Sequence, residues 1–366
     1  MEAFGGHPEA YDVLSDSACV ERILAVKRAW GPQLILLAHH YQRGHIIKVA
    51  DYIGDSFGLA ESAARVLEAS HIVFCGVRFM AESAAILCRQ DQRVIHPEPE
   101  AGCPMADMAP MEEVMAAWED LTVMAGRSGS PSLIPITYMN SHAALKGFVG
   151  RHGGTVCTSS NADVALTWAL NQRSKVFFFP DQHLGRNTAA KMGMTDGDLA
   201  VYRPSLPAGG ISTADLQRAK VILWDGHCPV HMKFEASDIK RYRRQIPGCK
   251  IVVHPEVTED IALLADVVGS TSDIVKYVAA CRPGDVVFVG TEINLVSRLA
   301  EEYPDRKVFR LHRSLCPTMY MIQLSNLTFA LEHVDQMPSV CVDEETRNDA
   351  RLALKRMLEL THAQTA

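Results

Sequence analysis

A chain of 366 residues is long enough for two or three domains, and its 48% hydrophobic and 22% charged residues are the balance of a globular protein. A formal charge of −7, with no basic block and no Lys/Arg stripe, argues against a nucleic-acid partner. The opening MEAFGGHPEAYDVLSDS has no basic or apolar signal region and no apolar run spans a bilayer, so a cytoplasmic protein without a membrane partner is expected. Its ten cysteines are then expected as thiols or ligands, not as a disulfide framework.

In chain order, the periodic segment from Val20 to Trp30 predicts a helix stopped by Gly31-Pro32. The apolar run LILLAHHYQ (34–42) predicts a buried strand ending in a polar cluster. From Tyr52, YIGDSFGLAESAARVL predicts a hydroxyl-bearing turn that opens a helix. A second strand is expected in HIVFCGVRF (71–79), and a third run, RVIHPEPEAGC, ends on Cys103. After a linker, GRSGSPS (126–132), the same order returns. It runs through LIPITYMNS (133–141), a turn and helix from Val156, KVFFFPDQH (175–183) and KVILWDGHC, ending on Cys228. A second linker, QIPG (245–248), precedes a third copy: KIVVHPE (250–256), a turn and helix from Val267, DVVFVGTEI (285–293) and KVFRLHRSLC, ending on Cys316. The tail DEETRNDARLALKRMLEL predicts a closing helix.

The spacings repeat as well as the order. His39 to Ser56 is 17 residues, Asn140 to Ser159 is 19 and His254 to Ser270 is 16. Ser56 to Cys103 is 47 and Ser270 to Cys316 is 46; the middle copy takes 69, with RPSLPAGGIS (203–212) in its extra length. Three units follow, at 1–125, 126–246 and 247–366, each alternating strands and helices as parallel α/β layers do. Ligands of such sheets gather beyond the carboxyl ends of the strands, where the polar clusters and the cysteines fall. Three such ends turned to one pseudo-threefold axis would form a single shared site.

One cysteine per unit, each in a Gly- or Pro-flanked turn (AGCPM, GHCPV, SLCPT), is the strongest chemical signal. Three buried thiols are the plain alternative. Cys19, Cys75, Cys88, Cys157, Cys249, Cys281 and Cys341 fall outside the register. Three thiolates are one short of saturating a 4Fe–4S cluster, leaving one iron for a substrate oxygen. Zinc at His227, Cys228 and His231 is the competing metal reading. The turns at Ser56, Ser159 and Ser270–Thr271 suit helix capping, and equally anion binding at helix N-termini. No Walker A or GxGxxG pattern points to a nucleotide. His39, Tyr41, Tyr138, Asn140, His254 and Glu256 close the first strands, where they can transfer protons. A metal-free aldolase would need a Schiff-base lysine, and Lys48, Lys146 and Lys191 lie away from the strand ends. A non-enzymatic iron–sulfur sensor would leave the three anion-suited turns without a purpose.

LAHHYQ, GDS, CGVRFMAE, AGCPMADM, YMNS, VCTSSNA, FPDQHLG, GHCPVH, HPE, ADVVGSTS, VGTE and LCPTM resemble, in order, the pattern of the quinolinate synthase family from about residue 34 to 320. The resemblance implies three homologous αβα domains around a pseudo-threefold axis. It implies a 4Fe–4S cluster on Cys103, Cys228 and Cys316, with one open iron acting as Lewis acid. The implied reaction condenses iminoaspartate with dihydroxyacetone phosphate to quinolinate, phosphate and water, in NAD biosynthesis, with a functional link to an L-aspartate oxidase. By position, His39, Ser56, Tyr138, Met139, Asn140, Ser159, His254, Pro255, Glu256, Ser270 and Thr271 are the implied substrate-binding residues. Glu256 is the implied general base, Tyr41 and Tyr138 move protons, and His254 with His39 orients carboxylates. HPEV stands where many members have His-Pro-Glu-Cys, and GRHGG (150–154) is an insertion of a longer subclass.

Overall fold

The computed structural model describes residues 9–127 and 133–365, so residues 128–132 of the first expected linker lie outside it. The first helix, Asp16–Trp30, starts a turn earlier than its apolar periodicity, because the Ser15 hydroxyl accepts a hydrogen bond from the Ala18 N–H (3.2 Å).

Each unit then builds one parallel sheet. The first holds β1 (Leu34–His39), β2 (Tyr52–Gly54), β3 (His71–Cys75) and β4 (Arg93–Ile95). The second holds β5 (Leu133–Tyr138), β6 (Thr155–Cys157), β7 (Lys175–Phe179), β8 (Leu199–Tyr202) and β9 (Val221–Trp224). The third holds β10 (Lys250–Val253), β11 (Val267–Val268), β12 (Val286–Gly290) and β13 (Lys307–Arg310). Their orders are β2-β1-β3-β4, β6-β5-β7-β9-β8 and β11-β10-β12-β13, all paired in parallel. In each, the chain goes first to one side of the opening strand and then to the other, which opens a crevice at that strand's carboxyl end.

The repeated order is thus a repeated topology, and the middle unit's extra length is β8 with its turn. That turn, Pro207–Gly210, needs Gly209: its φ is 64°, and a Cβ there would stand 2.2 Å from the Tyr202 ring. The short edge strands β2, β6 and β11 precede the hydroxyl turns, where the sequence pattern suggested only turn and helix. Continuous apolar runs bury Leu36, Leu37, Phe74, Phe177, Phe178, Val252 and Val289 at no more than 1% exposure, as strands covered on both faces require.

The chain beyond Cys316 leaves the third sheet. Helix Leu324–Glu332 shares a core with Asp16–Trp30 through Cys19, Ile23, Leu327 and Leu331, and Arg22 Nε donates to Glu332 (2.7 Å). The last helix, Glu344–Thr365, lies against Ala143–Arg151 of the second unit. Gly150 permits this approach, since a Cβ would sit 1.9 Å from the Asp349 carbonyl oxygen. Arg151 ion-pairs with Asp349 (2.7 Å), and Arg356 donates to the Gly154 carbonyl. The inserted GRHGG is therefore where the chain end docks. Both of these helices after Cys316 thus pack on layers of the first and second sheets. No helix among the described residues is long and apolar enough to cross a membrane.

Candidate active site

The three sheets aim equivalent strand ends at one cavity. Ala38 pairs with Cys75, Thr137 with Phe179 and Val253 with Gly290, each at the carboxyl end of its strand pair. One step on stand His39, Tyr138 and His254; three steps on stand Tyr41, Asn140 and Glu256. All six line a cavity of about 60 Å³, together with Ser56, Ser159, Thr271, Cys103, Cys228 and Cys316.

The three register cysteines come from three sheets, and none of the other seven lines this cavity. Each opens a Cys-Pro turn whose following N–H groups point back at the sulfur: Ala106 and Met105 at Cys103, His231 at Cys228, Met319 and Thr318 at Cys316. Proline at the first turn position gives up no N–H that the turn needs. Burial pushes all three thiols up, Cys103 to about 12, against those N–H groups. Half-buried sulfurs with N–H donors already in place fit a metal centre, which would supply the positive charge that thiolates there need.

Beside them is a carboxylate network. Glu256 Oε2 lies 2.7 Å from His231 Nδ1, a close contact without good hydrogen-bond alignment, and 3.7 Å from His254 Nδ1. The two imidazoles stack at 4.5 Å and 18°. Burial opposes ionisation of Glu256, but His254, His231 and the Tyr138 hydroxyl hold its carboxyl well below the usual range. Asp181 goes the other way: burial and then the nearby Glu256 raise it well above that range. Burial and Glu256 likewise keep Tyr41 and Tyr138 protonated. The Tyr41 hydroxyl meets Thr291 Oγ1 at 2.7 Å, and Thr291 meets His231 Nε2 at 3.1 Å, so a chain of exchangeable protons leads to the imidazole that stands beside Glu256. His39 Nδ1 accepts from the Tyr41 N–H (3.2 Å) and His254 Nδ1 from the Glu256 N–H (3.4 Å), which leaves the proton of each neutral ring on Nε2. Asn140 Oδ1 is buried without a partner, an acceptor waiting for a ligand.

The hydroxyl turns divide their labour. Asp55 caps helix Ser56–Arg65 and Ser270 caps Thr271–Ala280 in a capping box with Asp273, while Asn161 at the start of Ala162–Gln172 makes no capping bond. Ser56, Ser159 and Thr271 are left to face the cavity. Ser270→Ala is therefore expected to cost about 0.5–2 kcal/mol of stability. Ser56→Ala and Thr271→Ala should hardly move the melting temperature yet lower kcat/KM; thermal melts and steady-state kinetics on the same samples check the split.

Of the residues expected from the sequence, Met139, Pro255 and Ser270 do not line the cavity. Met139 is in the core, Ser270 is spent on its cap, and Pro255 faces a wider cleft of about 460 Å³ between the second and third units, which also meets Ser159. That cleft pairs Lys191 with Asp163 and is lined by no thiol or imidazole among the described residues, so the smaller cavity is the better candidate site. Sequence reasoning gave no site role to Thr291, Thr318 or Asp55, and placed His231 only in a zinc reading. His227, the companion of that reading, is not on the cavity. Asn187 was missed too: its Nδ2 donates to the Pro255 and Val257 carbonyls (2.8 Å each) and tethers the His-Pro-Glu segment.

His40, just outside the cavity, gives a pH test. Burial, then Arg298, whose guanidinium donates to Nδ1 at 3.0 Å, holds its pKa near 4 against 6.5 for a free imidazole. Between these values the unfolded chain binds more protons, so this contribution is intact above pH 6.5 and is lost as pH falls toward 4. His40→Asn removes the titration. Between pH 8 and 5 the stability difference should move in the variant's favour by about 2 kcal/mol, read by urea unfolding.

These features define a class: a pseudo-threefold α/β protein with one central cavity of thiols, imidazoles and an ionised carboxylate. The family model for the Quinolinate synthetase A protein matches residues 21–359. A quinolinate synthase of Nocardioides sp. is 49% identical over 94% of this chain and 90% of its own length. Those of Corynebacterium glutamicum and Streptomyces coelicolor are 46% and 47% identical, over 97% and 94% of this chain and 91% and 89% of theirs. The chain belongs to the quinolinate synthetase A family.

Proposed function

We propose that the protein condenses iminoaspartate with dihydroxyacetone phosphate to quinolinate, releasing phosphate and water, as a cytoplasmic step of NAD biosynthesis. The observation that carries this reading is the convergence of Cys103, Cys228 and Cys316 with Glu256 and three hydroxyl turns on one cavity. The three cysteines would hold a 4Fe–4S cluster, which when bound supplies a Lewis-acidic iron with an open position for a substrate oxygen.

The chain's own residues do the rest. Ser56, Ser159 and Thr271 offer hydroxyls at or beside helix N-termini, where carboxylate and phosphate are favoured. His39 and His254 donate from Nε2 to substrate carboxylates. The Asn140 side-chain oxygen accepts from a substrate N–H or O–H. Glu256, ionised, takes the proton released when the enamine carbon bonds to the triose. Tyr138 returns protons to departing oxygen, and Tyr41 relays through Thr291 and His231. Product loss of water is helped by the buried walls, which leave little bulk solvent in the site.

The test is anaerobic. Iron-loaded protein is given dihydroxyacetone phosphate and iminoaspartate generated from oxaloacetate and ammonia. Quinolinate and phosphate should appear in equal amounts; iron-loaded protein that makes neither overturns the reading. A second reading has its own observation: Cys228, His231 and Glu256 have ligand atoms all within 4.8 Å of one another, close enough for a single ion. A colourless, zinc-loaded protein with full activity would select it.

A further inference from the structure

Asp55 makes bonds to all three units. It is 5% exposed, and its Oδ1 accepts from the Gly58 N–H at 2.9 Å, capping its own helix. Its Oδ2 accepts from the Ser160 hydroxyl at 2.7 Å and from the Ser272 hydroxyl at 2.8 Å, residues 105 and 217 positions away. Each partner adjoins a residue that lines the cavity: Asp55 precedes Ser56, Ser160 follows Ser159, and Ser272 follows Thr271.

We propose that Asp55 is a positioning residue, a clasp on the axis that fixes the three substrate-facing turns in mutual register. The proposal rests on the reading of this cavity as the quinolinate-forming site. Capping one helix needs a single oxygen; the second oxygen reaches across to the two other units. Burial works to raise this carboxyl, but the Gly58 N–H and the two hydroxyls outweigh it, so the acceptor is an anion. Hydrogen bonds to a charged group are the stronger kind, and here they join turns that no backbone–backbone bond joins among the described residues. The three hydroxyls that must meet one substrate therefore share one anchor. Without it, the three turns would lose the one side chain that bonds to all of them, and small relative movements of the units would spread the hydroxyls apart.

The test compares Asp55→Ala, Asp55→Asn and the double variant Ser160→Ala/Ser272→Ala, which keeps the carboxylate and its own cap. The clasp predicts that the double variant raises KM for both substrates by about tenfold or more, with a smaller change in kcat and unchanged iron content. Asp55→Asn, which keeps an acceptor and can bond one serine, should recover part of that loss relative to Asp55→Ala. A readout without substrate runs beside it: hydrogen exchange of peptides covering 55–60, 158–164 and 269–275. Asp55→Ala should speed exchange in all three. Faster exchange in the 55–60 peptide alone overturns the clasp, whatever the enzyme makes. A lowered melting temperature with unchanged KM also overturns it, leaving an ordinary brace. If all three peptides loosen while the unaltered protein makes no quinolinate, the clasp stands and the functional reading falls.

Discussion

Glu256→Gln is expected to lower kcat/KM for quinolinate formation by about 10²–10⁴, the usual worth of a positioned general base. The substitution keeps the shape of the side chain and removes only its basicity. The carboxylate is ionised in a fully enclosed place because two imidazoles and a phenol surround it, His231 at 2.7 Å the nearest of the ion-pair contacts. The contacts that hold this carboxyl low favour its charged form, and a neutral amide loses part of them, so the fold should hold with some fall in melting temperature. Iron content should also hold, because the register thiols are untouched. The loss should therefore lie in kcat at constant cluster content, read by single-turnover quinolinate formation under anaerobic conditions. A variant that retains full kcat would remove Glu256 from the chemistry and move the base to another group on the cavity.

Replacing any one of Cys103, Cys228 or Cys316 by Ser should abolish both the brown absorbance and quinolinate formation. The effect should exceed the roughly 10–100-fold that losing an outer partner of a metal site costs, since a ligand itself is removed. Cys75→Ser and Cys157→Ser serve as controls. Both residues are fully buried on β3 and β6, and burial pushes their thiols up with no N–H turn opposing it. These variants are expected to lose stability but to keep iron. An iron requirement at Cys75 with none at Cys228 would break the argument from repeat register.

Much of this is legible in the sequence. The triple order of strands and the three Cys-Pro turns survive in the sequence because each strand is an apolar run and each turn has proline beside the thiol. What was hidden depended on distance through space. Strands β2, β6 and β11 are two or three residues long, too short for any period to register. β8 lies inside a stretch that the repeat spacing marks only as surplus. His231 and Thr291 belong to different units and acquire meaning only through their 3.1 Å contact. The identity of the caps was hidden as well. Ser56, Ser159 and Ser270 look alike in sequence, but only Ser270 is the cap, because Asp55 takes that place in the first unit.

The equivalent strand ends carry a consequence for symmetry. A ring of three identical subunits built from one such unit would have to place the same side chain at all three corresponding points. Joined in one chain, the units place a phenol (Tyr41), an amide (Asn140) and a carboxylate (Glu256) at matching steps beyond their paired strands. The sulfurs have stayed identical, as the corners of a symmetric ligand would ask. The substrates of the proposed reaction have no threefold axis, and the symmetry is broken at the positions that would meet them. On the proposed function, a single polypeptide would thus meet a symmetric inorganic partner and an asymmetric organic one in the same cavity.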